Sequence, residues 1–342
     1  MNFRKFVFLK KKYLFKVQFK AQSLLELLIS IGVGIILIGG SSMLMALSLK
    51  MFQDSRQRYD INTLLRQESE VIIAVANANW HSLYDLTKES NYYATSTNNV
   101  WSFNSGKEVS TINNVSYRRY FQVLDALRDD SGNIATSGNT DPNTLKINVF
   151  LEYGINYNSS STLSFYLTRS ANNQVLQQTD WSGGPGQTGP IPNSGNKFDT
   201  STNIDYASTT GSIYMATTTA GAELISSIID TGIEGGAGFN SLLWQGSKGT
   251  NGSVKFQIAF SNSATGPWTY YGCTTIPSSC LNPNNWTTAS SSLAALEPNT
   301  SLPLPFYGTP SPQNNRYIRY KVFLSTSGTS PQINDIIINW SP

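Results

Sequence analysis

Glu26 is the side chain whose chemistry is clearest from its position, because it stands at the start of a long apolar run. In the segment FKAQSLLELLISIGVGIILIGGSSMLMALSL, which begins at Phe19, residues 27–49 carry no charge. At 1.5 Å per residue they form about 34 Å of helix, enough to span a hydrocarbon core of about 30 Å. An ionised carboxylate in lipid is costly unless it is paired. Glu26 therefore either reaches water at the membrane edge or pairs with a cation from another chain.

Cys273 and Cys280, in the segment CTTIPSSC, are the only two cysteines of the chain. Their close spacing on a polar, exported chain predicts a disulfide bond, and two free thiols are the alternative. The spacing does not fit a zinc site, and His81 is the only histidine. We expect His81 to lie at a helix end or on the surface.

The sequence contains no motif for catalysis. The HExxH, GxSxG and GxxxxGK[ST] patterns are all missing from it. Four residues with side-chain oxygens are candidate calcium ligands, because calcium prefers clustered oxygen ligands: Asp129, Asp130, Asn133 and Asp141. All four are also typical turn residues, and turn formation explains them without a metal. We therefore predict no enzyme, no catalytic residue, no cofactor and no metal site, with a membrane-anchored hydrolase as a weaker alternative.

Four aromatic residues cluster in loop-like sequence beside the cysteine pair: Trp268, Tyr270, Tyr271 and Trp286. Exposed aromatic rings stack on sugar faces and anchor protein partners. Burial of the same rings against a domain core is the alternative. The four residues are therefore candidates for ligand stacking.

The basic residues are unevenly distributed. Seven of the 24 lysines and arginines lie among the first 20 residues, Lys16 and Lys20 included, so the rest of the chain is mildly acidic. Basic residues before an apolar span place its start in the cytoplasm and the body outside. The body's overall charge gives no indication of a nucleic-acid surface.

The segment KAQSLLE, at residues 20–26, resembles the leader junction of type IV pilins and pseudopilins. In that family a basic leader ends in a small residue, and the mature chain begins with an apolar helix that carries Glu at its fifth position. Ala21 occupies the small position, Gln22 would be the first mature residue, and Glu26 the fifth. The chain departs from the family in having Ala where Gly is usual and Gln where Phe is usual. We expect the alanine to slow cleavage without preventing it.

The resemblance implies roles for these residues. A prepilin peptidase would cut between Ala21 and Gln22, and the new terminus at Gln22 would be N-methylated. The basic residues of the leader, Lys16 and Lys20 among them, would stay in the cytoplasm. Glu26 would pair with the N-terminal amine of a neighbouring subunit during assembly, since opposite charges attract strongly in a low dielectric.

Periodicity and the pilin resemblance together imply an α+β protein in several parts. These are a leader (1–21), a helix (22–79, with a membrane span at about 24–49), an antiparallel β head (80–180), a Gly/Pro-rich linker (181–205) and a β-sandwich (206–342). The helix is expected to pack on the head through apolar residues that include Leu64, Leu65, Val71, Ile72 and Val75. The segment LKINVFLEY alternates cleanly and predicts a head strand. The last part resembles, weakly, galactose-binding-like or discoidin-like jelly rolls.

The pilin resemblance implies a minor pilin or pseudopilin, a structural subunit of a type IV pilus-like filament or a type II secretion-like system. The sandwich would then serve as a tip cap or adhesin. The implied partners are other pilin subunits, the prepilin peptidase, the cytoplasmic membrane and a surface glycan or protein. The N-terminus would be cytoplasmic and the domains outside, before assembly at the cell surface. The alternative is a membrane-anchored carbohydrate- or surface-binding protein that forms no filament.

Overall fold

The computed structural model describes residues 24–342 except 99, 114, 130, 170–172, 193–194, 277, 306–307 and 309. The described residues up to Asn62 form one compact unit, and Thr63–Pro342 form a second. The predicted cleavage junction, Ala21 and Gln22, and the leader lysines, Lys16 and Lys20, lie outside the described residues.

The first element is one long helix, α1 (Leu24–Ala78), which matches the prediction within the described residues. Its 55 residues correspond to about 82 Å of helix. In the second unit its buried face follows the four-residue spacing of a helix, through Leu64, Glu68, Ile72 and Ala76. Val71 and Val75, predicted to face the head, are only partly buried. A short helix, α2 (His81–Tyr84), follows.

The head is an antiparallel sheet of seven strands. Its order is β2-β1-β4-β6-β7, with β3 and β5 also paired to β4. The strands are β1 (Tyr92–Thr97), β2 (Val100–Ser105), β3 (Glu108–Ile112), β4 (Val115–Arg128), β5 (Ile134–Ala135), β6 (Asn139–Tyr153) and β7 (Ser159–Thr168).

The head core comes from the alternation predicted in LKINVFLEY. Leu145, Ile147, Val149 and Leu151 of β6 are fully buried, while the residues between them are partly exposed. Strand pairing sets Ile147 beside Val123 of β4, so neighbouring strands bury the same face. The strand prediction for this segment is confirmed.

Glu68 attaches the second half of α1 to the head sheet. Its side chain is 1% exposed and lies 3.1 Å from the Arg119 guanidinium on β4. The Ala94 backbone N–H of β1 donates to it at 3.0 Å. Arg119 also pairs with Glu108, so two carboxylates share one guanidinium. Burial raises the pKa of Glu68, and its effect exceeds the opposing effect of Arg119.

The raised pKa makes the contribution of Glu68 to stability depend on pH. The folded state holds the proton more tightly than the unfolded chain, so the contribution is greatest below the unfolded value near 4.5 and is lost as pH rises through the folded pKa. We expect the unfolding free energy of the wild type, minus that of Glu68→Gln, to fall between pH 4 and pH 7. Urea denaturation at several pH values measures this difference, and a difference that rises with pH would contradict the assignment.

The rest of the chain forms a β-sandwich of two six-stranded sheets and a two-stranded ribbon. The first sheet contains β9 (Pro190–Ile191), β10 (Phe198–Thr202), β13 (Ala222–Ser226), β14 (Ile228–Asp230), β16 (Gly252–Ser261) and β20 (Tyr317–Thr326). The second contains β8 (Gln174–Gln178), β11 (Ile204–Asp205), β12 (Ile213–Met215), β15 (Gly238–Ser247), β19 (Leu302–Pro303) and β21 (Gln332–Ser341). The ribbon pairs β17 (Gly272–Cys273) with β18 (Trp286–Thr287).

Long strands at the centre of each sheet supply the sandwich core. β20 pairs with β16 along ten residues, and β21 pairs with β15 along most of its length. Their inward side chains, such as Val322 and Ile338, are fully or almost fully buried and belong to one hydrophobic cluster. The α+β prediction, with a long helix, an antiparallel sheet and a β-sandwich, is confirmed.

The predicted linker at 181–205 is wrong. Trp181 is fully buried in the sandwich core, and Pro190–Ile191 and Phe198–Thr202 are strands of the first sheet. The preceding strand β8 pairs with β21, so the sandwich begins at Gln174 and not at residue 206. Within the described residues of 181–205, β9 and β10 pair with neighbours in the first sheet.

The head and the sandwich are joined by a buried junction formed by Arg169, His81 and the sandwich loops. Arg169 follows β7 directly and is 4% exposed. Its guanidinium donates to the carbonyl oxygens of Gly236 and Pro342 and to the Asn314 side chain. The His81 Nε2 lies 2.9 Å from the same Gly236 oxygen. His81 lies at the start of α2, as expected for a helix-end residue, and is also a junction residue.

At this junction the backbone of the sandwich at Gly235 comes close to the His81 ring. Gly235 has a φ of +85°, and a Cβ there would lie 2.8 Å from the His81 ring. Nearby, the Asn143 side chain of β6 donates to the Gln313 side chain at 2.8 Å. The second domain is thus not flexibly attached, because hydrogen bonds from two places in the head hold it.

Candidate functional site

The first half of α1 is a candidate interaction surface because its apolar side chains are exposed. From Leu24 to Phe52, the large apolar residues leave about half to three quarters of their surface uncovered. The helix is long and apolar enough to cross a membrane. Exposed apolar surface of this extent marks a membrane or protein interface.

Glu26 lies in the first turn of the described helix. Its backbone carbonyl accepts a hydrogen bond from the Ser30 hydroxyl at 2.7 Å. Among the ion pairs formed between described residues, none includes the Glu26 carboxylate.

The predicted disulfide between Cys273 and Cys280 is confirmed, with a sulfur–sulfur distance of 2.08 Å. It closes a short loop beside Trp286. Trp286, a candidate for ligand stacking, is instead a core residue with 8% exposure. Its indole Nε1 donates to the Cys280 carbonyl oxygen at 2.7 Å. The stacking role predicted for Trp286 is therefore wrong, since both its ring and its polar atom are used internally.

Trp268 and Tyr270 lie in a loop beside two cations on the outward face of β20. The Arg319 guanidinium is 5.6 Å from the Trp268 ring centroid, and the Lys321 ammonium is 4.8 Å from that of Tyr270. Cation–π attraction of this kind holds an aromatic loop on a sheet. Burial raises the pKa of Tyr270 to about 12. Its hydroxyl has no hydrogen-bond partner among the described residues.

The two cations are also held by carboxylates. Arg319 pairs with Asp199 and donates to the Ser226 carbonyl oxygen, and Lys321 lies 3.0 Å from Glu223. Arg319 and Lys321 share one face of β20 because they stand two residues apart along the strand. The contact between this face and the loop at 262–271 joins residues that are far apart in the sequence. The sequence could therefore indicate the alternation of charged residues along the strand but not the contact.

Tyr271 belongs to the edge of the core. Its ring stacks with Phe260 at 6.3 Å, and its backbone pairs with Ile258. The four predicted aromatic residues therefore separate. Trp286 is buried, Tyr271 packs at the core edge, and Trp268 and Tyr270, both half-buried, lie beside Lys321 and the buried Arg319.

The oxygen-rich residues of the head do not form a metal site within the described part of the chain. Asp129 accepts hydrogen bonds from the backbone N–H groups of Ser131 and Asn133, as a turn residue does. Asp141 is buried and pairs with Arg128 at 2.6 Å. Asp130, also considered as a calcium ligand, lies outside the described residues.

Comparison with known proteins finds no family model and no curated protein that matches. One similar solved structure concerns the promiscuous specificity of carbohydrate-binding modules of the β-sandwich superfamily. It is 10% identical, and the match covers 75% of this chain and 100% of that one with a TM-score of 0.24. Another, of infectious bursal disease virus Gx strain, is 10% identical over 73% and 64% with a TM-score of 0.21. Both TM-scores are below 0.5, so neither similarity carries a conclusion about fold or ligand.

Proposed function

We propose that this chain is a minor pilin or pseudopilin, a subunit of a type IV pilus-like filament or a type II secretion-like system. The observation that carries the proposal is the first half of α1, an exposed apolar helix with Glu26 in its first turn. Apolar residues exposed from Leu24 to Phe52 need a bilayer before assembly and neighbouring helices after it. The leader resemblance at Ala21 and Gln22 supports the same function.

Assembly would proceed through the paired charges at the start of the helix. A prepilin peptidase removes residues 1–21 on the cytoplasmic face, which creates an amine at Gln22. The Glu26 carboxylate of one subunit then pairs with the amine of its neighbour. In the low dielectric between apolar helices this pairing neutralises two charges and fixes the register of the subunits.

In this proposal the sandwich is a tip cap or adhesin. Its junction with the head, through Arg169 and His81, would transmit a load from a bound surface to the helix without a flexible hinge. The half-exposed Trp268 and Tyr270 are the surface that we assign to a glycan or protein ligand. Aromatic faces beside cations suit both kinds of partner.

The second candidate is a membrane-anchored binding protein that is not assembled into filaments. The same exposed apolar helix favours it, because a bilayer alone would cover that surface. The two candidate functions differ in the role of the Glu26 carboxylate. A filament subunit uses it for pairing, whereas a plain membrane anchor does not need it.

Shearing of surface filaments distinguishes the two candidates. The chain would be expressed in cells that possess a type IV pilus machine and its peptidase, and in the same cells without the assembly ATPase. A subunit is expected in the sheared fraction only when the ATPase is present. Recovery from the membrane alone in both strains would favour the anchored protein and contradict the filament.

A further inference from the structure

A groove runs between the second half of α1 and the edge strand β2. It consists of two adjoining cavities of about 460 and 390 Å³, which share Ala74 and Trp101 in their walls. Along α1 the lining extends from Gln67 to Ala78, which corresponds to about 17 Å, and Ser82 of α2 continues it. All of these residues belong to the compact unit Thr63–Pro342.

One part of the groove is apolar and open to solvent. Val100 and Trp101 of β2 are 66% and 45% exposed, although both are large apolar side chains. Val75 and Ala78 form the facing wall on the helix side. In the described part of the head, β2 pairs only with β1, so its other edge has no partner strand.

The other part of the groove is acidic. Glu68 and Glu70 line it, and Arg119 is the one cation among the described residues of its wall. Arg119 pairs with both Glu68 and Glu108. One guanidinium therefore faces two carboxylates, and the trio has a net negative charge. Arg66 lies 3.8 Å from Glu70, but both side chains are largely exposed, and such a pair is weak.

We propose that this groove binds an extended peptide segment of a partner protein, with an arginine or lysine side chain at the Glu68 and Glu70 part and apolar side chains along Trp101. A cation placed there would complete the charge balance of the Glu68–Arg119–Glu108 trio. It would also lie beside an indole face, which attracts cations. About six residues at 3.3 Å each match the length of the groove. The proposal does not depend on assembly into a filament.

The charge of the groove selects this occupant. A neutral apolar segment would cover Trp101 but would leave the excess carboxylate without a counter-ion in a less hydrated site. An acidic segment would be repelled by Glu68 and Glu70. A segment with a cation at one end and apolar side chains after it would neutralise the acidic part of the groove and cover its apolar part.

Isothermal titration calorimetry with three capped hexapeptides tests the proposal on the full chain in detergent micelles. The first peptide has arginine followed by alternating valine and serine, and the other two have glutamine or glutamate in place of arginine. We expect the arginine peptide to bind about tenfold more tightly than the glutamine peptide, and the glutamate peptide to give no measurable binding. Equal affinity of the first two peptides, or no binding by any, would overturn the proposal.

Variants localise the binding. Trp101→Ala and Glu70→Gln change exposed side chains, so both are expected to fold and to weaken the arginine peptide by about fivefold to tenfold. Tyr166→Ala removes an exposed aromatic residue of β7, outside the groove, and is the matched control with unchanged affinity. Unchanged affinity in Trp101→Ala would overturn the assignment. So would concentration-dependent self-association that the same substitution abolishes, because the occupant would then be a second copy.

Discussion

Replacing Arg169 with methionine is expected to lower the unfolding free energy of Thr63–Pro342 by about 3 kcal/mol. The guanidinium donates to two carbonyl oxygens and one side-chain amide across the junction, and each hydrogen bond from a charged donor contributes about 1.5 to 3 kcal/mol. Relief of the buried charge offsets part of this loss. Burial lowers the pKa of Arg169 to about 10, so the group stays charged near neutral pH.

The destabilisation caused by Arg169→Met should be largest at the junction between the head and the sandwich. We expect the midpoint of thermal unfolding to fall by about 5 °C for a unit of this size. Hydrogen exchange should accelerate at the backbone N–H groups of Gly236 and Asn314, which the junction covers, while β6 in the head stays protected. The full chain in detergent is the sample for both measurements.

Arg316→Met is the matched control. Arg316 pairs with Asp230 at 2.8 Å within the sandwich, but its side chain is partly exposed, so its loss should cost less than about 1 kcal/mol. Equal destabilisation by the two substitutions, or unchanged exchange at Gly236 in Arg169→Met, would show that Arg169 does not hold the two domains together.

Replacing Glu26 with alanine is expected to reduce recovery in sheared filaments at least tenfold. Without the carboxylate, the amine at Gln22 of the neighbouring subunit would be left unpaired among apolar helices. Breaking a buried pair by removing one partner costs about 3–5 kcal/mol, which exceeds the 1.4 kcal/mol that corresponds to a tenfold change. The amount of chain in the membrane should not fall, because alanine is at least as compatible with lipid.

Asp54→Ala provides the comparison for Glu26→Ala. Asp54 is an exposed acid on the same helix, beyond the apolar run, so its loss should leave recovery in filaments unchanged. Mass spectrometry of both variants checks that the leader is still removed. Normal recovery of a processed Glu26→Ala chain would contradict the pairing role and favour a carboxylate at the membrane edge.

Local periodicity was sufficient to predict the elements that depend on it. The helix through Leu64 and Ile72, the alternation from Leu145 to Leu151 and the close cysteine pair all follow from spacing along the chain. Composition misled at 181–205, because glycine and proline are as common in ordered loops as in linkers. Trp181 was the available signal, since a large aromatic residue in a flexible linker would have no core to enter.

The interactions that sequence reasoning missed are non-local. Glu68 stands four residues from both Leu64 and Ile72, so a buried carboxylate could have been suspected from its place on the apolar face. Its partner Arg119 lies on a strand whose position depends on the folded sheet. The junction role of Arg169 could not be predicted either, because its hydrogen-bond acceptors belong to Gly236, Asn314 and Pro342, which are distant in the sequence.

The mature N-terminus tests the central claim most directly. The full chain would be expressed with and without a prepilin peptidase and its terminus determined by mass spectrometry, with Ala21→Gly as the variant expected to be cut faster. We expect a chain that begins at Gln22, N-methylated, only when the peptidase is present. An uncut chain, or a cut after the apolar run, would contradict it and leave the β-sandwich as the only basis for a function.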